Sequence, residues 1–187
     1  MNITRKQFVA EDNFEVELDP YVILQIPKLN LSDEQRIRML DWAEKLESGK
    51  FQQTRGRLRK DIPVTGTVSE FSASYCCLGV ACAISKMGEW GPREATNDVP
   101  HILESTYTTS VPSYEVCEYF GMDSVGGITV VIRNRPSTIM YKKLDGLNDN
   151  GASFGEIAKI IRLACADGYL NPEATPSELK RLKRDGI

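Results

Sequence analysis

Nine consecutive residues, Cys76 to Ile84 (CCLGVACAI), carry no charged or amide side chain. A helix of that composition has no face suited to water, so it must lie inside a core with other elements on nearly every side. The spacing predicts a helix from about Cys76 to Met87, with Gly88 as its stop. Wrapping a helix completely takes a long chain. At 187 residues, roughly 70% of the extended chain's surface can be buried on folding. The 41% apolar and 26% charged residues are the balance of an ordinary globular protein.

Further helices announce themselves by their ends. Ser32 followed by Gln35 is a capping box, Ser48-Gly49 a stop, and Ile37, Met39, Leu40, Trp42, Ala43 and Leu46 give the apolar face between them. A short helix from Ser113 to Phe120 follows Pro112 and ends at Gly121. Ser153 and Glu156 open another, whose residues Phe154, Ile157, Ala158, Ile161, Ala164 and Cys165 recur at helical spacing. Thr175 and Glu178 open a terminal helix to about Arg184.

Strand signals are sparser. Phe14 to Asp19 alternates apolar and acidic residues, and Tyr21 to Ile26 is a second apolar run after Pro20, so the two form a strand pair or one strand bent at the proline. Ile128 to Ile132 is rich in β-branched residues. Residues 60–74 read as loop with a short hairpin about Gly66, and Glu89 to Val111 reads as a long irregular stretch, of a length that often carries function. The expected fold is α+β, with four or five helices around the buried cysteine-rich helix, packed on a small antiparallel sheet. An extended arm over residues 1–30, a core over 31–170 and a helical tail over 171–187 complete the expected organisation.

The net charge of −3 argues against whole-surface nucleic-acid binding, so a charged partner must meet a local patch. No window approaches 18 consecutive apolar residues, and no leader is expected from Met1 to Phe14. An odd set of cysteines (Cys76, Cys77, Cys82, Cys117 and Cys165), three of them within seven positions, points to reduced thiols rather than a disulfide framework.

Three constellations carry possible chemistry. From Lys50 to Lys60 the chain holds Lys50, Arg55, Arg57, Arg59 and Lys60 without an acid. In an extended strand Arg55, Arg57 and Arg59 would project from one face, a row suited to phosphate, nucleotide or an acidic protein surface, because guanidinium forks grip oxyanions. The plainer reading is a solvated loop whose arginines pair with acids elsewhere.

Cys76 or Cys77 stands at a helix N-terminus, where a thiol can become a nucleophile. The string from Tyr75 to Cys82 is similar to the cysteine-bearing helix start of papain-like and bacterial cell-wall endopeptidases. Those families place a histidine on a following strand. Here the one histidine, His101, follows Pro100 in the irregular stretch. Core packing is the preferred reading of these thiols, and their spacing suits no zinc site. The third constellation, Leu147 to Gly151 (LNDNG), has Gly146 where a calcium loop needs its first aspartate. It reads as a turn at Asn150-Gly151 leading into the Ser153 cap, with Asn148 and Asp149 as candidates to line a site.

The segments Leu46 to Arg59 (LESGKFQQTRGRLR), Tyr75 to Cys82 (YCCLGVAC), the short helix ending Tyr119-Phe120-Gly121, and Leu147 to Ala158 (LNDNGASFGEIA), in this order, resemble a family of small, uncharacterised proteins of tailed bacteriophages. The likeness covers about residues 35 to 165, and residues 1–30, the long 89–111 stretch and the tail after Asn171 depart from it. The resemblance implies a life in the cytoplasm of an infected bacterium and supplies no mechanism. The expected function is a non-enzymatic accessory protein that binds a host protein or an anionic small ligand through the arginine row, without cofactor or metal. The alternative is a cysteine-dependent hydrolase or transferase using Cys76 or Cys77 with His101, and a virion component is a third.

Overall fold

The computed structural model describes residues 5–8, 13–19, 22–27, 29–65, 70–122, 124–134 and 138–165. Its elements, in chain order, are β1 (Arg5–Phe8), β2 (Asn13–Asp19), β3 (Val22–Pro27), α1 (Asp33–Glu47), β4 (Gln52–Gln53), β5 (Arg59–Pro63), β6 (Phe71–Tyr75), α2 (Cys77–Ser85), β7 (Glu89–Trp90), β8 (His101–Leu103), β9 (Thr106–Thr108), α3 (Tyr114–Phe120), β10 (Thr129–Asn134), β11 (Thr138–Lys143), α4 (Leu144–Asp149) and α5 (Phe154–Ala164). The fold is α+β, as expected. The terminal helix expected from Thr175 to Arg184 and the hairpin tip at Gly66 lie outside the described residues.

Among the described residues three sheets serve the helices. The largest runs in the order β1-β2-β3-β10-β11, every neighbouring pair antiparallel. The second has the order β4-β6-β5, with β4 parallel and β5 antiparallel to β6. The third, β7-β8-β9, is antiparallel. The alternating Phe14 to Asp19 segment does form a strand, and it pairs with β3 rather than merging with it. The stretch expected to be irregular, 89–111, holds the third sheet. Its strands are only two or three residues long, too short for a periodic signal. Likewise β5 (RKDIP) is polar and partly exposed and shows no apolar alternation, whereas β6 (FSASY) does alternate Phe71, Ala73 and Tyr75 with serines, a brief period-two signal that the loop reading of residues 60–74 passed over. Among the described residues no helix is long and apolar enough to cross a membrane.

The capping signals that fall within the described residues are realised. Ser32 and Gln35, and Ser153 and Glu156, close reciprocal capping boxes on α1 and α5, and Ser113 caps α3, which Gly121 ends in left-handed backbone. The central helix, α2, starts one residue later than expected because Cys76 is its cap. It ends at Lys86, itself left-handed with φ 57°, ahead of the expected stop at Gly88.

The first turn of α2 is the meeting point of the core. Trp42 of α1 donates its indole N–H to the Cys77 carbonyl at 3.0 Å. The Cys77 thiol points at the Leu144 carbonyl, 3.6 Å away at the start of α4. Cys76 donates its backbone N–H to the Leu58 carbonyl at 3.2 Å, and a Cβ at Gly79 would lie 1.7 Å from that same oxygen. Around this turn Trp42, Phe120, Leu58, Leu78, Ile128, Leu144, Ile157 and Ile161 are shut off from solvent. Each such aliphatic side chain contributes about 1.5–3 kcal/mol by leaving water.

That contact makes Gly79 the most restricted glycine of the helices. Gly79→Ala is expected to lose at least about 3 kcal/mol in urea unfolding, since a backbone oxygen has to move and the Cys76–Leu58 bond with it. Gly155→Ala, where the added methyl meets open space within α5, is the matched control. It is expected to hold stability or gain up to about 1 kcal/mol.

Candidate binding surface

After α1 the chain turns at Gly49, enters β4 beside Ser74 and Tyr75, and then bends over residues 55–58. The bend replaces the expected extended row. Gly56 sits in left-handed backbone at φ 72°, where other residues are strained, and its N–H donates to the Asp149 carboxylate at 2.8 Å. Leu58 then turns inward and donates its N–H to Thr109 at 2.7 Å.

The three arginines therefore part company. Arg57 donates from Nε to Asp98 at 2.7 Å and from Nη1 to the Gly56 carbonyl at 2.7 Å. Arg59 is tied to Asp61 at 2.9 Å, and its guanidinium stands 5.8 Å and 5.6 Å from the ring centroids of Tyr75 and Trp90. Arg55 is exposed and lies against Gly151, where a Cβ would come within 3.2 Å of its Nη2. Among the described residues Lys50, Arg55 and Lys60 make no ion pair. The structure thus keeps Arg55 as the free guanidinium of the three and gives Arg57 and Arg59 acids of their own.

Two regions singled out separately in the sequence are brought together by a residue that sequence reasoning passed over. The Gln53 amide donates to Asn148 Oδ1 at 2.9 Å and to the Ala152 carbonyl at 2.8 Å, while its oxygen accepts the Phe154 N–H at 3.2 Å. Asn148, 0% exposed, returns Nδ2 to the Thr54 carbonyl at 2.9 Å and to Asp149 at 3.2 Å. Both the nitrogen and the oxygen of the Gln53 amide are engaged, which fixes its orientation. The LNDNG segment is not only a turn: its first half is α4, and the reversal falls on Asn150 and Gly151, the latter at φ 101°. Asn148 faces into this clasp, and Asp149 shows its carboxylate at the surface beside Arg55's loop.

The alternative catalytic set is arranged for packing. Cys76 is 3% exposed, and its sulfur caps α2 by accepting the Gly79 N–H at 3.4 Å. Burial pushes that thiol up to about 11, and the N–H groups of Gly79 and Leu78 offset it only in part. At pH 7 a thiol of that acidity is about one part in ten thousand thiolate. Burial raises Cys77 and Cys82 further above the ordinary thiol range. His101 stands on β8 with its ring edge-on to Trp90 at 5.1 Å. All five cysteines are free and buried. Among the described residues no three His, Cys, Asp or Glu side chains are grouped to hold a metal ion.

Residues 34–165 match the family model of a domain of unknown function, DUF8296. No curated protein and no solved structure matches the chain.

Two measurements check this geometry. In a double-mutant cycle, Gln53→Ala and Asn148→Ala are each expected to cost about 2–3 kcal/mol, with a coupling of about 1–2 kcal/mol because each strands the other's buried amide. With iodoacetamide at pH 7.5, all five thiols are expected to stay unmodified in the folded protein and to react fully in guanidinium. Rapid labelling of Cys76 or Cys77 in the native state would contradict the burial described.

Proposed function

The chain belongs to the DUF8296 family, and we propose that it works by binding rather than catalysis, as a bacteriophage accessory protein acting in the cytoplasm of the infected host. Its ligand is an acidic surface of a host protein or a small anion, held at the corner where Arg55 crosses Gly151. The observation that carries this reading is Arg55 itself, a guanidinium exposed at the surface and lacking an acid among the described residues, on a loop fixed by the Gln53–Asn148 clasp.

A mobile surface arginine loses much of its binding energy to ordering, whereas one whose backbone is already anchored loses less. The neighbouring Asp149 carboxylate adds selectivity, since a partner must offer an acid to Arg55 without crowding a second acid against Asp149. Arg57 within the bend and Arg59 just after it have their charges already matched by Asp98 and Asp61. The phage setting rests on the resemblance of the segments from Leu46 to Ala158. A reducing cytoplasm agrees with cysteines used as packing atoms.

The test is a charge reversal at the one free position. Arg55→Glu is expected to unfold within about 0.5 kcal/mol of wild type, as substitutions away from structural contacts do. It is expected to lose a partner that immobilised wild-type protein captures from infected cells, or to lose binding of inorganic phosphate or polyglutamate in calorimetry. Arg57→Glu is expected to lower stability instead, because it sets a carboxylate against the buried Asp98. If Arg55→Glu binds everything the wild type binds, the corner is not the site.

A further inference from the structure

Two buried side-chain atoms among the described residues lack a hydrogen-bond partner, Oδ1 of Asp98 and Nδ1 of His101. Buried polar groups are nearly always satisfied, so each orphan is a local cost that the closed structure carries. Both fall within four consecutive residues of one segment, the stretch from Glu89 to Thr108 that forms β7, β8 and β9. Its strands are two or three residues long, and Asn97 and Glu104 take left-handed backbone at φ 65° and 52° without being glycine. Polar contacts hold it to β5 and the bend before it through Asp61 N–H to Asn97 at 2.9 Å, Val99 N–H to Arg59 at 3.1 Å and the Arg57–Asp98 ion pair, and ring contacts hold it to β6, with Trp90 against Tyr75 at 5.8 Å and Arg93 over Phe71 at 3.4 Å.

We infer that residues 89–108 form a flap that opens as a unit below neutral pH while α2 and the surrounding helices stay folded. His101 supplies the sensitivity. Its ring is 2% exposed, edge-on to Trp90, and a Cβ on Gly88 would meet its Cε1 at 3.1 Å. Protonation would turn an unpartnered acceptor into an unpartnered donor and set a cation against a ring that already has the Arg59 guanidinium 5.6 Å from its centroid. On the elements packed around the imidazole the charged groups are Lys86 after α2, Glu89 on β7, Glu104 in the β8–β9 turn, and Arg59, Lys60 and Asp61 on β5. The first three are exposed, and Arg59 is committed to Asp61. The influences on the imidazole are burial, which holds its pKa below 6.5, and the Met87 carbonyl, which works the other way.

A base whose folded pKa lies below its unfolded value binds fewer protons when closed. The closed flap therefore has its full stability above pH 6.5 and loses it as the pH falls. Between pH 7.5 and 5.5 the opening constant rises by up to about tenfold if the closed imidazole stays neutral. Opening would also return the Asp98 carboxylate to water and release the β5 edge, whether or not Arg55 binds a partner.

Hydrogen exchange on the full chain tests this at pH 7.5 and 5.5, after correction for intrinsic rates. Amides of residues 89–108 are expected to lose protection by up to about tenfold at the lower pH, with those of 77–85 unchanged, and His101→Gln is expected to abolish the difference. Because His101 is the chain's one histidine, its imidazole proton resonance reports the closed state directly and must titrate below 6.5. Loss of protection in both segments together, no loss in either, an unchanged response in His101→Gln, or titration at or above 6.5 would each overturn the flap.

Discussion

The approach of Leu58 to the first turn of α2 is the constraint on which the rest of the structure depends. In the low-dielectric interior a backbone carbonyl or N–H without a partner is costly, and here three of the segments that reach that turn bring one. Leu58 offers its carbonyl to Cys76, Trp42 its indole to Cys77, and Leu144 its carbonyl to the Cys77 thiol. These contacts tie α1, the entry to β5 and the start of α4 to one turn of helix, at a spacing only a glycine at 79 permits.

That geometry also accounts for the thiols. A cysteine at a helix N-terminus usually gains acidity from the N–H groups it faces. At Cys76 those groups are present, yet the removal of water outweighs them, and the sulfur becomes a small apolar cap. The same side chain at the same helical position can thus be a nucleophile or a filler. What decides is how completely its neighbours exclude solvent.

Helix ends are legible in the sequence because their chemistry is local. Ser32 with Gln35 and Ser153 with Glu156 mark the two best helices from four residues each, and the uncharged run after Cys76 marks the buried one. The alternation of β6 (FSASY) is legible but only five residues long, and strand β5, with its polar composition, is not legible. Neither is α4, because Lys143 at its cap position makes no side-chain bond and so leaves no capping signature. The basic cluster is visible, but its geometry is not. Alternation of Arg55, Arg57 and Arg59 predicts one face only if the backbone stays extended, and Gly56, held by Asp149, removes that condition. Gln53 carries no signal at all, since an amide before a bend looks like any solvated polar residue until its partners are known.

Those partners are far away along the chain. Gln53 and Asn148 are 95 positions apart, and Gln53 and Phe154 are 101 apart. Closing so long a loop costs entropy that only a formed core can offset, which places the clasp late in folding. A nascent chain displays Arg55 long before it contains Asn148 or Gly151, so the anchored corner exists only once nearly the whole described sequence has left the ribosome.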